Sequence, residues 1–201
     1  MEPTKNLITS SLRKTIDWFG KNELAFLALT TKIELPLRDR WGYALFRKLA
    51  GSKYVVSREW KRTDLAIIEN GNPKVLIEIK ALYTFDAVSS KGNYVKTIGK
   101  LQEDEDKALK LANADTKVYT VLFATHPLVA IPIGYKSTVK YIPGINGALS
   151  KLGSEDAVAK IARHRIEEEF KGKRIVSKGV LSGGSAFGIG VDVMYWIMRK
   201  K

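Results

Sequence analysis

Apolar residues recur along this chain at two spacings, and each spacing predicts a different element. Leu7, Ile8, Leu12, Ile16 and Phe19 follow the period of a helix, and a second apolar stretch, Leu24 to Leu29, follows Gly20. Pro36 is expected to end this region. From Leu37 to Leu49 the helical period returns, with Trp41, Ala44, Leu45 and Leu49 on one face and Gly51 as a stop. Tyr54-Val55-Val56 opens a strand that runs toward Trp60. Two apolar runs follow, Leu65 to Ile68 and Val75 to Ile77, joined by Asn70-Gly71-Asn72-Pro73, and Asn-Gly between such runs predicts a hairpin.

Beyond the hairpin, residues 94–113 predict a helix. Ile98, Leu101, Ala108, Leu109 and Ala112 form its apolar side, and the acidic run Glu103-Asp104-Glu105-Asp106 lies mid-helix. Val118 to Thr125 predicts a strand buried on both faces, and Val129 to Ile133 another short strand. Ser154 is placed to cap an amphipathic helix carrying Val158, Ile161, Ala162, Ile166 and Phe170, with Gly172 at its end. Gly183 to Gly188 predicts a wide hairpin loop before a last strand, Val191 to Met198. This order is an α/β layout with a mixed β-sheet flanked by helices.

The hairpin also carries chemistry. Its first strand begins at Asp64, and its second ends in Glu78-Ile79-Lys80. Strand side chains alternate, so Glu78 and Lys80 share a face while Ile79 points the other way. A turn centred between Asn70 and Pro73 brings Asp64 within a residue or two of Glu78. Two carboxylates and an ammonium at one end of a hairpin suit a hard divalent cation and an oriented water.

Composition narrows the partner. The 201 residues carry a formal net charge of +13, 45% are hydrophobic, and none is cysteine. Disulfides and thiolate metal sites are excluded. The lack of a long apolar run or a signal-peptide pattern leads us to expect no membrane span and an intracellular setting, in the cytoplasm or on the nucleoid. Residues 1–63 hold 13 Lys/Arg against 6 Asp/Glu, residues 64–133 hold 8 against 9, and residues 134–201 hold 13 against 6. A near-neutral segment with the acidic cluster thus lies between two basic flanks, a distribution suited to a phosphodiester backbone.

Helix, strand, Arg62-Thr63-Asp64-Leu65-Ala66-Ile67, turn, apolar run, Glu78-Ile79-Lys80, helix, strand resembles the PD-(D/E)XK, or restriction-endonuclease-like, nuclease superfamily over roughly residues 34–125. The proline common before the first acid is replaced by Thr63. The resemblance implies one nuclease domain over 1–201, with a restriction-endonuclease-like core at about 34–133 and a C-terminal helix and strand elaboration at about 134–201. It implies that Asp64, Glu78 and the Ile79 carbonyl bind Mg²⁺ (or Mn²⁺). Lys80 would then position the attacking water on a DNA phosphodiester. Many relatives act as homodimers, so a dimer is implied by resemblance alone.

The same resemblance makes Glu34, Asp39 and Glu59 candidates for an additional acid, and Lys100 and Gln102 candidates for polar groups supplied by the following helix. Trp60, Lys61, Arg62, Lys136, Lys140, Lys173 and Arg174 are candidate nucleic-acid contacts. His126 and His164 are isolated, without metal-ligand spacing. Two other functions fit the pattern: a non-catalytic or partner-dependent nucleic-acid-binding module of the same fold, and a nuclease acting on structured RNA.

Overall fold

A computed structural model describes residues 3–89 and 91–200. The apolar runs on either side of Asn70-Gly71 form two antiparallel strands, β2 (Thr63–Glu69) and β3 (Asn72–Tyr83), after a first strand β1 (Val55–Trp60). Asn70 and Gly71 have φ of 50° and 76°, as the two central positions of a type I′ turn require. Three more strands, β4 (Lys117–Pro127), β5 (Lys173–Ala186) and β6 (Ile189–Lys200), complete a six-stranded sheet in the order β1-β2-β3-β4-β6-β5. Only β3 and β4 run parallel, so the fold is α/β with a mixed sheet flanked by helices.

One face of the sheet is covered by α1 (Lys5–Arg13), α2 (Glu23–Thr30) and α3 (Glu34–Leu49). Leu12, Leu29, Trp41 and Leu45 pack there against Ile77, Ile79, Val121 and Val193 in the larger core. Pro36 does not end a helix. It sits in the first turn of α3, where its missing N–H has no intrahelical partner to lose. On the other face lie α4 (Thr84–Ser89), α5 (Lys91–Leu111) and α7 (Glu155–Glu169), against Leu82, Leu122, Trp196 and Met198. α6 (Ile142–Leu152) contributes Ile145 to the first core and Ala148 to the second. Ser154 caps α7 through the Ala157 N–H, as expected.

Three expectations are corrected. Residues 129–133 form no strand. The chain bends there into a single 3-10 turn, Ile133–Tyr135, and Ile131 is held by both amide groups of the Asn146 side chain. The glycine-rich segment is no wide loop either. The turn is two residues, Phe187 and Gly188, both at positive φ. Gly183 and Gly184 sit in a bulge of β5, where a Cβ on Gly183 would meet the Val191 carbonyl oxygen of β6 at 2.8 Å and the Ala25 backbone nitrogen of α2 at 3.4 Å. Finally, the C-terminal strands are no appendage, because β6 is an interior strand paired with β4 from Thr120↔Met198 to Pro127↔Val191.

Candidate metal site and cleft

β3 is longer than its neighbour. Its pairing with β2 stops at Leu65↔Ile77, so its edge is open from Glu78 to Tyr83. Unpaired backbone groups on such an edge need partners, and acids supply them. The Ile79 N–H donates to Asp64 Oδ2 at 2.8 Å, the Ala81 N–H to Glu34 Oε2 at 3.2 Å and the Tyr83 N–H to Asp86 Oδ2 at 3.0 Å. The Ile79 carbonyl accepts from Lys80 Nζ at 3.1 Å. The Ile79 side chain itself is buried in the larger core, as its alternation with Glu78 and Lys80 predicts.

Asp64, Glu78 and Lys80 therefore converge. The Asp64 and Glu78 carboxyls interact directly, and this interaction works to raise the Glu78 pKa and to lower that of Asp64. Burial and the charges of Asp64 and Asp104 push the Glu78 pKa up to about 8. Burial also raises Asp64 and Glu34 above the usual carboxylate range. Lys80 Nζ lies 2.8 Å from Asp104 Oδ2 and 3.8 Å from Glu34 Oε1, and these partners raise its pKa despite partial burial. A cleft of about 410 Å³ opens onto this group, lined by five cations (Lys61, Arg62, Lys80, Lys107, Lys110) and three carboxyls (Asp64, Glu78, Asp104).

Of the candidate additional acids, only Glu34 reaches the site. Asp39 and Glu59 are counter-ions instead: Arg38 donates to Asp39 at 3.0 Å and to Glu59 at 2.7 Å, and Arg58 lies 3.0 Å from Asp39. Lys100 and Gln102 are exposed on α5 and do not line the cleft, where that helix presents Asp104, Lys107 and Lys110. Of the candidate nucleic-acid contacts, Lys61 and Arg62 are at the cleft, and the Lys61 ammonium lies 4.7 Å over the Trp60 ring. Lys136 and Lys140 are exposed between β4 and α6, away from the cleft lining. Arg174 is exposed on β5, the sheet edge opposite β1. Lys173 is no free surface contact, its ammonium being held in an ion pair with the buried Glu105 at 2.6 Å. His126 is also buried, bonded to the Thr84 hydroxyl at 3.0 Å, and burial lowers its pKa to about 4.

Sequence reasoning singles out neither Arg38 nor Asp104. Arg38 is 7% exposed and its Nη1 is 3.8 Å from Asp64 Oδ1, which makes it the buried cation behind the first acid. Its signal was a lone charge at helical spacing with the core residues Trp41 and Leu45. Asp104 lies three residues before Lys107 on α5, in the stripe facing β3. Within four consecutive acids, nothing in the sequence distinguishes it.

The donors fit a small hard cation. Among the described residues no three His, Cys, Asp or Glu side chains group as a metal site. Asp64 and Glu78 form a pair, with the Ile79 carbonyl as a third oxygen. Two carboxylates, one carbonyl and remaining water and phosphate positions match how Mg²⁺ is usually held. Burial and the neighbouring carboxylates that raise the Glu78 pKa are effects that a bound cation would offset. Neither any family model, nor any curated protein, nor any solved structure matches this chain.

Proposed function

We propose that this chain is a metal-dependent endonuclease of the restriction-endonuclease-like kind, hydrolysing DNA phosphodiester bonds. The observation that carries the reading is the convergence of Asp64, Glu78, the Ile79 carbonyl and Lys80 at the floor of a cation-rimmed cleft. The order α3-β1-β2-β3-α4-α5-β4, with the acids on the hairpin between the helices α3 and α4, supports it.

Asp64, Glu78 and the Ile79 carbonyl would hold Mg²⁺ or Mn²⁺. Once bound, that ion supplies positive charge against the phosphate oxygens and lowers the pKa of a water. Glu78 would bind such an ion in its ionised form. Lys80, beside the same carbonyl, orients the water for in-line attack on phosphorus and offsets charge in the transition state. The water's oxygen bonds to phosphorus as the bridging P–O bond breaks; the proton the water loses passes to solvent, and the leaving oxygen takes one up from solvent. Phosphoryl transfer of this kind rests on positioning and electrostatics, so a chain without cysteine needs no side-chain nucleophile. Asp104 and Glu34 hold the Lys80 ammonium at its post.

Incubation of the purified protein with plasmid and Mg²⁺ tests this. Nicking or linearisation is expected, with loss on chelation. Asp64→Ala, Glu78→Ala and Lys80→Ala are each expected to lower the rate at least roughly a hundredfold while circular dichroism stays native. Full activity in any of the three removes that residue from the mechanism. DNA binding that persists in chelator with no cutting under any metal favours the non-catalytic module. Cleavage of structured RNA alone favours the RNase.

A further inference from the structure

Among the described residues, positive φ without glycine clusters at the β1–β2 connection. Trp60 pairs with Thr63, leaving Lys61 and Arg62 as a two-residue turn, with φ of 49° and 72°. Just before it, Glu59, which stands opposite Asp64 in an unshifted register, is at φ 55°. Three non-glycine residues among four thus occupy the left-handed region, which side chains with a Cβ adopt at a cost. The other two-residue turns are built differently: Asn70-Gly71 and Phe187-Gly188 each put glycine at one of the positive-φ positions. Only the turn with no glycine stands at the cleft.

Its side chains are free to act there. Among the described residues, no carboxylate lies within ion-pair distance of Lys61, Arg62 or Lys110, although Asp104 pairs with Lys107. Lys61 and Arg62 line the cleft from the turn, and Lys107 and Lys110 line it from α5. The carboxyl pair lies between these two walls. Glu59 is held from behind by Arg38, so the approach to the turn is tied to the same buried arginine that faces Asp64.

We propose that the β1–β2 turn is a phosphate clamp. Lys61 and Arg62 grip the DNA backbone on one side of the scissile phosphate, while Lys107 and Lys110 grip it on the other. The left-handed backbone is the cost of placing two cations where a relaxed turn would put Asn-Gly. This inference rests on the nuclease reading above and adds the path of the substrate strand.

The test replaces the turn in two ways. Lys61→Asn/Arg62→Gly installs the residues that a type I′ turn prefers. Lys61→Gln/Arg62→Gln removes the charges and keeps the strain. Binding of a fluorescein-labelled DNA duplex is followed by anisotropy across a salt series in Ca²⁺, and plasmid cleavage in Mg²⁺ is run in parallel on the native protein. Both doubles are expected to weaken binding at least roughly tenfold and to reduce the slope of log K against log salt by about 2. Only the Asn-Gly form is expected to gain thermal stability, by roughly 2–4 °C in Tm. Unchanged affinity and salt slope in both doubles, with the native protein still cutting, overturns the clamp and leaves the nuclease standing. A native protein that neither binds nor cuts DNA overturns both.

Discussion

Glu78 has a raised pKa because burial, and then the charges of Asp64 and Asp104, disfavour its ionised form. It is 4% exposed, bonded to Asp64 and near Asp104, while Lys80 is shared among Asp104, Glu34 and the Ile79 carbonyl. The consequence for stability has a definite sign. In the unfolded chain Glu78 titrates near its ordinary 4.5, and in the folded chain near 8. Below about 4.5 both states are protonated and the group is neutral in the balance. Between the two values the native state holds more protons, so this residue makes stability fall as pH rises, and above about 8 the whole cost is present. Glu78→Gln keeps a donor to Asp64 without the charge. Its melting temperature is expected to match the native protein's near pH 4 and to exceed it by roughly 4 °C near pH 9. A gap that does not widen with pH places the proton elsewhere. Since a cation would displace that proton, Mg²⁺ affinity read by calorimetry should climb through the same window, with proton release.

At the scale of the element, the site exists because β3 runs on past the end of β2. Asp64 and Glu34 reach it from different elements for the same reason, which is to cap N–H groups that have lost a strand partner. Glu34→Ala leaves the Ala81 N–H without its acceptor and is expected to cost about 1–3 kcal/mol in urea unfolding. Glu34→Gln keeps a carbonyl oxygen there and should cost less than half as much. Equal losses would mean that the charge facing Lys80, rather than the cap, is what matters. The pairing of Asp64 with Glu78 was legible in the sequence, since Asn70-Gly71 sets the turn and the strand alternation sets the faces. The open edge was not, because it depends on where β2 ends, and Leu65 and Thr63 look alike as strand formers. Lys61-Arg62 likewise gave no sign of a left-handed turn, as nothing in Lys-Arg favours that backbone. Glu34, Arg38 and Asp104 join the site only through the packing of α3 and α5 on opposite faces of the sheet, a tertiary fact that short-range spacing does not encode.

At the scale of the whole molecule, the C-terminal third completes the sheet that carries the site. Without β6, the β4 strand would lose a full edge of hydrogen bonds, and Trp196 and Met198 would leave the second core. The helix that supplies Asp104, Lys107 and Lys110 to the cleft is anchored to this hairpin by its own next residue: Glu105, 4% exposed, accepts from Lys173 of β5. Charge density along 134–201 suggested a nucleic-acid surface, but at Lys173 the charge faces inward, where it fixes α5 against β5. The second oxygen of Glu105 has no partner, so the pair is only half compensated. That makes a specific forecast. Lys173→Met strands a buried carboxylate and is expected to destabilise by about 3–5 kcal/mol, whereas Lys173→Met/Glu105→Leu removes both charges and should recover most of that loss, or more. Urea unfolding of the two variants and of Glu105→Leu alone closes a double-mutant cycle. A large coupling identifies the pair as the tether between the C-terminal hairpin and α5. Cleavage by the double variant then reads whether the position of the cleft wall depends on the ion pair itself or only on the packing that surrounds it.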